Sequence, residues 1–197
     1  MDRDRDGGAP LSVFEYDRAR AVEYAKRWAL SRNPIFFDFA GVGGDCTNFV
    51  SQALLAGCCK MNSEPTFGWY YFSPDNRAPA WSGVDAFFDF MTGNGDFPPI
   101  LNREGPFGYV TDRDYAAFGD VVQLADRNGR FYHTLMVTGN DGMGDILVSG
   151  HTNDALNRPL SSYPNASERF IHIIGCLAPT DDPPKNCFDS LISGELP

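Results

Sequence analysis

Apolar positions near the start of the chain recur at helical spacing: Ala21, Tyr24, Ala25, Trp28 and Ala29 fall on one stripe. In front of them, Ser12-Val13-Phe14-Glu15 has the spacing of a capping box, with Leu11 and Tyr16 placed to staple the first turn. Asn33-Pro34 ends this predicted helix. A glycine-rich loop, Gly41-Val42-Gly43-Gly44, leads to a second stripe of Phe49, Val50, Ala53 and Leu54. Asp45 suits the N-cap of that helix, and Gly57 suits the left-handed position after its last turn. A third, short helix starts at Ser82-Gly83-Val84-Asp85 and stops at Gly93.

From about residue 108 the pattern turns to strand. Residues 120–125 and 131–138 flank a turn containing Asn128-Gly129, the strongest short signal for a hairpin. A second turn at residues 139–144 leads into residues 146–151, and residues 170–177 supply a last strand. Helices followed by strands predict an α+β domain, with N-terminal helices packed on an antiparallel β-meander. No repeat or linker divides the chain. We read residues 1–10 as a flexible tail, 11–178 as one domain, and 179–197, with Asp181-Asp182-Pro183-Pro184, as a loosely held C-terminal tail.

Composition narrows the function. Of 197 residues, 43% are hydrophobic, ample for a core, and the formal charge of −10 opposes nucleic acid or an anionic membrane surface as partner. No run approaches the ~20 apolar residues of a membrane span. The charged opening Met1-Asp2-Arg3-Asp4-Arg5-Asp6 lacks the apolar core of a secretory signal, so the expected compartment is the cytoplasm, unless another export route operates. An odd count of five cysteines then argues against a disulfide framework. Cys58-Cys59 lacks the gap of a zinc knuckle, and neither metal nor cofactor is expected.

The remaining pattern is one cysteine with distant histidines. Cys46 opens the second helix, where unpaired backbone N–H groups and the helix dipole favour a thiolate and can stabilise an oxyanion. The Asp45 carboxylate beside it is expected to point into the cap. His133 shares a strand face with Leu135 and Val137, expected to face the helix, and is the candidate base. His151, ending the next strand, is the candidate third member that orients His133; Asn153 and Asp154 are rivals for that role. His172, on a terminal strand without polar companions, and Gln52 are read as structural. Trp69, Tyr70 and Trp81 belong to an aromatic stretch that either lines a substrate groove or packs in the core.

Asp45-Cys46-Thr47-Asn48-Phe49-Val50-Ser51-Gln52 resembles the nucleophile motif of the bacterial Putative amidase domain family, a branch of the papain-like cysteine peptidases near the cell-wall peptidases and CHAP amidases. The likeness extends over the leading helix from Tyr16 to Asn33-Pro34, the aromatic stretch, Gly119-Asp120-Val121-Val122, the strand from His133 to Thr138, and His151-Thr152-Asn153-Asp154. It implies a papain-like fold and a cysteine amidase or peptidase acting on an amide or peptide bond, with peptidoglycan stem peptide as one substrate. Acyl transfer by the same residues and a non-catalytic peptide- or glycan-binding domain are the alternatives.

Overall fold

A computed structural model describes residues 9–93 and 102–195. The 1–8 part of the expected N-terminal tail therefore lies outside the described residues. The chain forms β1 (Leu11–Phe14), α1 (Arg18–Trp28), α2 (Cys46–Cys58), β2 (Tyr71–Ser73), β3 (Asn76–Arg77), α3 (Pro79–Ser82), α4 (Val84–Thr92), β4 (Gly105–Thr111), β5 (Val121–Ala125), β6 (Phe131–Asn140), β7 (Ile146–Gly150), β8 (Ala155–Pro159), β9 (Ser167–Pro179) and α5 (Phe188–Ser193). The fold is α+β with an antiparallel sheet, as the helix-then-strand order predicted.

Seven strands make the main sheet, in the order β1-β9-β5-β6-β7-β8, with β4 also paired to β9. The 13-residue β9 is its spine. β5 pairs with Ser167–Ile171, β4 pairs along Phe170–Leu177, and β1 pairs with Cys176–Pro179. Because β4 overlaps both other partners, β1 and β5 share one edge of β9 and β4 takes the other. The β5–β6 hairpin forms as expected: Asp126 N donates to Arg130 O at 3.0 Å, and Gly129 supplies the positive φ of 77° that the turn needs.

Both faces of the sheet are covered. One carries α1, α2 and α4 over a large core that includes Tyr24, Trp28, Phe49, Leu54, Trp69, Trp81, Val121, Met136 and Ile171. The other carries a smaller cluster: Val122, Leu124, Leu135, Val137, Val148, Leu160 and Phe170. Helix α2 is buried over its whole length. Its four buried polar side chains after Cys46 are each satisfied inside the protein, which lets a polar-rich helix occupy the centre. Thr47 meets Thr134, Asn48 accepts from Trp81 Nε1, Ser51 accepts from Trp69 Nε1, and Gln52 accepts from the Tyr24 hydroxyl.

The first expected helix starts later than its capping-box spacing suggests. Leu11–Phe14 is a strand because it completes the edge of β9, and Asp17 is the N-cap, its carboxylate accepting from Arg20 N at 3.0 Å. Gly57 lies inside α2, and the left-handed residue is Cys59 (φ 51°). A Cβ at Gly57 would come within 2.5 Å of the Tyr16 ring, so this glycine serves a close crossing of the chain just before α1. The expectation for Gly93 holds: it caps α4 with φ 63°.

The disulfide expectation is corrected. Cys58 is bonded to Cys176, Cys59 to Cys187, and Cys46 alone is free. An odd count was compatible with two bridges because one thiol is left over. The tail expectation is corrected as well. The Cys59–Cys187 bridge anchors α5, Leu191 is buried, and its carbonyl accepts from Trp28 Nε1 and Asn33 Nδ2 at 3.2 and 2.8 Å. Among the described residues, no helix is long and apolar enough to cross a membrane.

Candidate active site

Cys46 is the first residue of α2, and its side chain is buried against β6. The amides of Thr134, Cys46 and Thr47 and the Thr47 hydroxyl, whose oxygen is 3.8 Å from the sulfur, all favour a thiolate. Burial outweighs them and holds the thiol pKa above its ordinary value. The helix terminus therefore does not make a more acidic thiol in the resting protein, contrary to the sequence expectation.

The sulfur faces the amide of Thr134, the residue directly after His133. Thr47 and Thr134 join hydroxyls at 2.9 Å, and Gln123 Nε2 donates to Thr134 Oγ1 at 3.1 Å and to Val84 O at 2.9 Å. Thr134 and Met136 therefore face the helices. His133, opposite Leu124 in the β5–β6 register, shares the other face with Leu135 and Val137. This corrects the expected orientation: the three residues do share a face, but it is the one turned from α2. The imidazole lies 5.9 Å from the Tyr163 ring and 6.2 Å from the Tyr132 ring, centroid to centroid. Burial, with a smaller contribution from the Arg158 cation, lowers its pKa to about 4. Among the described residues, no hydrogen bond joins His133 to Cys46, His151, Asn153 or Asp154.

His151 is engaged elsewhere. Its Nδ1 is 2.5 Å from Asp45 Oδ2 and its Nε2 is 3.0 Å from Trp28 O, and the ring packs on Phe49 at 4.2 Å. Both ring nitrogens meet oxygens, Nδ1 a buried carboxylate and Nε2 a backbone carbonyl, so the ring is held at both ends. The other Asp45 oxygen accepts from Phe39 N and Asn48 Nδ2 at 2.9 and 2.7 Å. That carboxylate makes no side-chain bond to the helix backbone, so the expected cap is replaced by a buried clamp joining the loop before α2 to β7. Thr152 closes the same corner by accepting from Asp45 N at 2.8 Å. Asp154 pairs in two-pronged fashion with Arg32, at 2.9 and 3.0 Å, and Asn153 is an exposed turn residue with φ 75°.

The groove expectation is corrected for both tryptophans. Trp69 and Trp81 are fully buried, 4.9 Å apart, with their indole N–H groups satisfied by α2. Tyr70 is half-buried and stacks on Phe72 at 5.0 Å. His172 has polar companions after all: Nδ1 lies 2.8 Å from the buried carboxylate of Asp120, which also accepts from Arg18. Among the described residues there is no cluster of three or more His, Cys, Asp or Glu able to hold a metal ion.

Sequence reasoning missed Thr134, Tyr163 and Arg158. Thr134 could have been found, since its separation from Thr47 equals that between Cys46 and His133. Tyr163 and Arg158 carry no local signal, because Arg158 on β8 and Tyr163 in the turn after it meet His133 only through the fold.

Comparison with known proteins places this geometry in a family. The chain is 29% identical over 173 residues to the uncharacterized protein YhbB of Bacillus subtilis (strain 168), covering 82% of this chain and 51% of that protein. It is 30% identical over 152 residues to the uncharacterized protein YjcM of the same organism, covering 75% of this chain and 34% of that protein. The chain thus spans about half the length of one relative and a third of the other. No solved structure matches it significantly. The profile of the Putative amidase domain family matches residues 15–174, most of the described fold including Cys46, His133 and His151, and the chain belongs to that family.

Proposed function

We propose that this domain is a papain-like cysteine hydrolase that cleaves an amide or peptide bond, with Cys46 as nucleophile and His133 as base. The observation that carries the reading is the position of the single free thiol. In an amidase-family domain it opens a buried helix with its sulfur against the backbone that carries His133. At rest both groups are neutral, because burial raises the thiol pKa and lowers that of the imidazole. The reaction requires the His133 imidazole to swing from the sheet face turned from α2 around the edge of β6, which β7 pairs only from Met136 onward, to reach the sulfur, where each charge stabilises the other.

In that arrangement His133 takes the thiol proton and the sulfur attacks the carbonyl carbon. Backbone N–H groups at the start of α2 hold the oxyanion of the tetrahedral intermediate. The imidazolium then protonates the leaving amine, and a thioester to Cys46 remains. Water, deprotonated by His133, attacks the thioester, and the carboxylic acid leaves with the thiol restored. Asp45 and His151 act by fixing the corner from which Cys46 projects rather than by touching the imidazole.

Peptidoglycan stem peptides are the proposed substrates. Two disulfides suit a protein matured in an oxidising compartment, where such substrates lie, and this favours export over the cytoplasm expected from the sequence. The test is digestion of soluble muropeptides followed by mass spectrometry. Hydrolysis adds one water to the sum of the products and exposes a new amine. Unchanged muropeptides would refute the substrate class, and products joined to another amine would replace hydrolysis by acyl transfer.

A further inference from the structure

Beside His133 stands a set of polar atoms that the proposed reaction does not use. Arg158, on β8, lays its guanidinium 4.2 Å from the Tyr163 ring centroid. Its Nε donates to Ser162 Oγ at 2.8 Å and its Nη2 to Ser162 O at 3.1 Å, which fixes the plane of the group. In a chain with ten more carboxylates than cations, no carboxylate pairs with Arg158 among the described residues. The Tyr163 hydroxyl is sealed from solvent and, among the described residues, has the Arg158 side chain as its polar neighbour but no hydrogen-bond partner of normal geometry. The His133 ring, close to those of Tyr132 and Tyr163, makes no hydrogen bond among the described residues. An immobilised guanidinium with no carboxylate partner, lying beside a phenol ring, is a ready receptor for a planar anion.

We infer that Arg158, held on the Tyr163 ring, forms a carboxylate-accepting subsite next to His133, so that the favoured amide substrate carries a free carboxylate near the bond to be cut. The inference rests on the amidase reading and names its substrate class. Guanidinium and carboxylate would meet as a charge-assisted pair, half-shielded by the two tyrosine rings. Binding has a second consequence. Among the described residues, Tyr132, Tyr163 and Arg158 are the titratable groups found beside the imidazole, and the Arg158 cation adds to burial in depressing its proton affinity. A bound carboxylate cancels that charge and makes His133 a better base when substrate is in place.

The test uses the full chain with Cys46→Ala, to prevent turnover, and two probes: N-acetyl-alanyl-alanine and its C-terminal carboxamide. Probe affinity and the titration of the His133 ring protons are followed by NMR. The carboxylate peptide should bind about tenfold or more tightly than the carboxamide and raise the His133 midpoint from about 4. Arg158→Gln should abolish both effects, and Arg158→Lys should keep part of them. Acidic peptides with a blocked C-terminus then distinguish a side-chain carboxylate from a terminal one. Equal binding of the two probes, no binding of either, or carboxylate binding unaffected by Arg158→Gln would overturn the subsite. Turnover by the unmodified chain is scored separately. Carboxylate binding without turnover of any amide would sink the amidase reading and leave the subsite standing.

Discussion

Thr47 and Thr134 share a hydrogen bond of 2.9 Å between their hydroxyls, and each is the chain neighbour of one of the two residues assigned to chemistry, Cys46 and His133. The bond fixes the start of α2 against β6, and with it the distance from the sulfur to the backbone of the base. Thr47→Val keeps the shape and removes one hydroxyl from a buried network. The loss should destabilise the fold by about 1–2 kcal/mol, because Thr134 keeps only its contact to Gln123. Urea unfolding measures it, and an unchanged midpoint would show that the pair holds nothing together.

Asp45 and His151 are both 1% exposed and meet at 2.5 Å. Removing one partner strands the other without water, so His151→Leu or Asp45→Leu alone should each cost about 3–5 kcal/mol. The double variant, which leaves no buried charge behind, should be more stable than the sum of the two losses implies. Strict additivity in a double-mutant cycle would show that the two side chains do not act as a pair.

The pH dependence of stability should carry the signature of His133. Its folded pKa of about 4 lies below the ordinary 6.5, so between these values the unfolded chain binds the extra proton. The stabilisation from a neutral, buried ring is complete above pH 6.5, declines as pH falls toward 4 and changes no further below it. Over that window it amounts to about 3 kcal/mol. His133→Gln should remove that share of the acid sensitivity, as read from urea midpoints at the two ends of the window. Parallel losses in both proteins would place the acid sensitivity elsewhere.

One thiol per chain should react with a maleimide after unfolding without reductant, and five after reduction. In the folded protein, iodoacetamide should modify Cys46 slowly at neutral pH and faster only above the ordinary thiol range, because burial raises its pKa. More than one reactive thiol without reductant would contradict the bridges Cys58–Cys176 and Cys59–Cys187.

Helix α2 was legible because its apolar spacing, glycine-rich approach and motif all point to one element, Cys46–Cys58. The β5–β6 hairpin was legible because Asn128-Gly129 is local chemistry. What the sequence hid is long-range. Alternation correctly groups His133 with Leu135 and Val137, but both faces of the sheet are apolar, so nothing local says which one meets α2. The contact between Thr47 and Thr134 decides it. β1 looked like the start of a helix because its partner, β9, lies at the far end of the chain. The disulfides were obscured by the same distance: their cysteines are separated by 118 and 128 residues. Groove and core stayed open for Trp69 and Trp81 because the polar partners of their indoles sit on α2, in a motif that otherwise speaks for chemistry.

The proposal that Cys46 and His133 act as one unit is tested most directly by rates of new-amine release from muropeptides by the unmodified chain, Cys46→Ala, His133→Ala and the double variant. Each single change should lower the rate on the order of 10³-fold, and the double variant should be no slower than the worse single one. Activity that survives Cys46→Ala, or losses that multiply in the double variant, would contradict it.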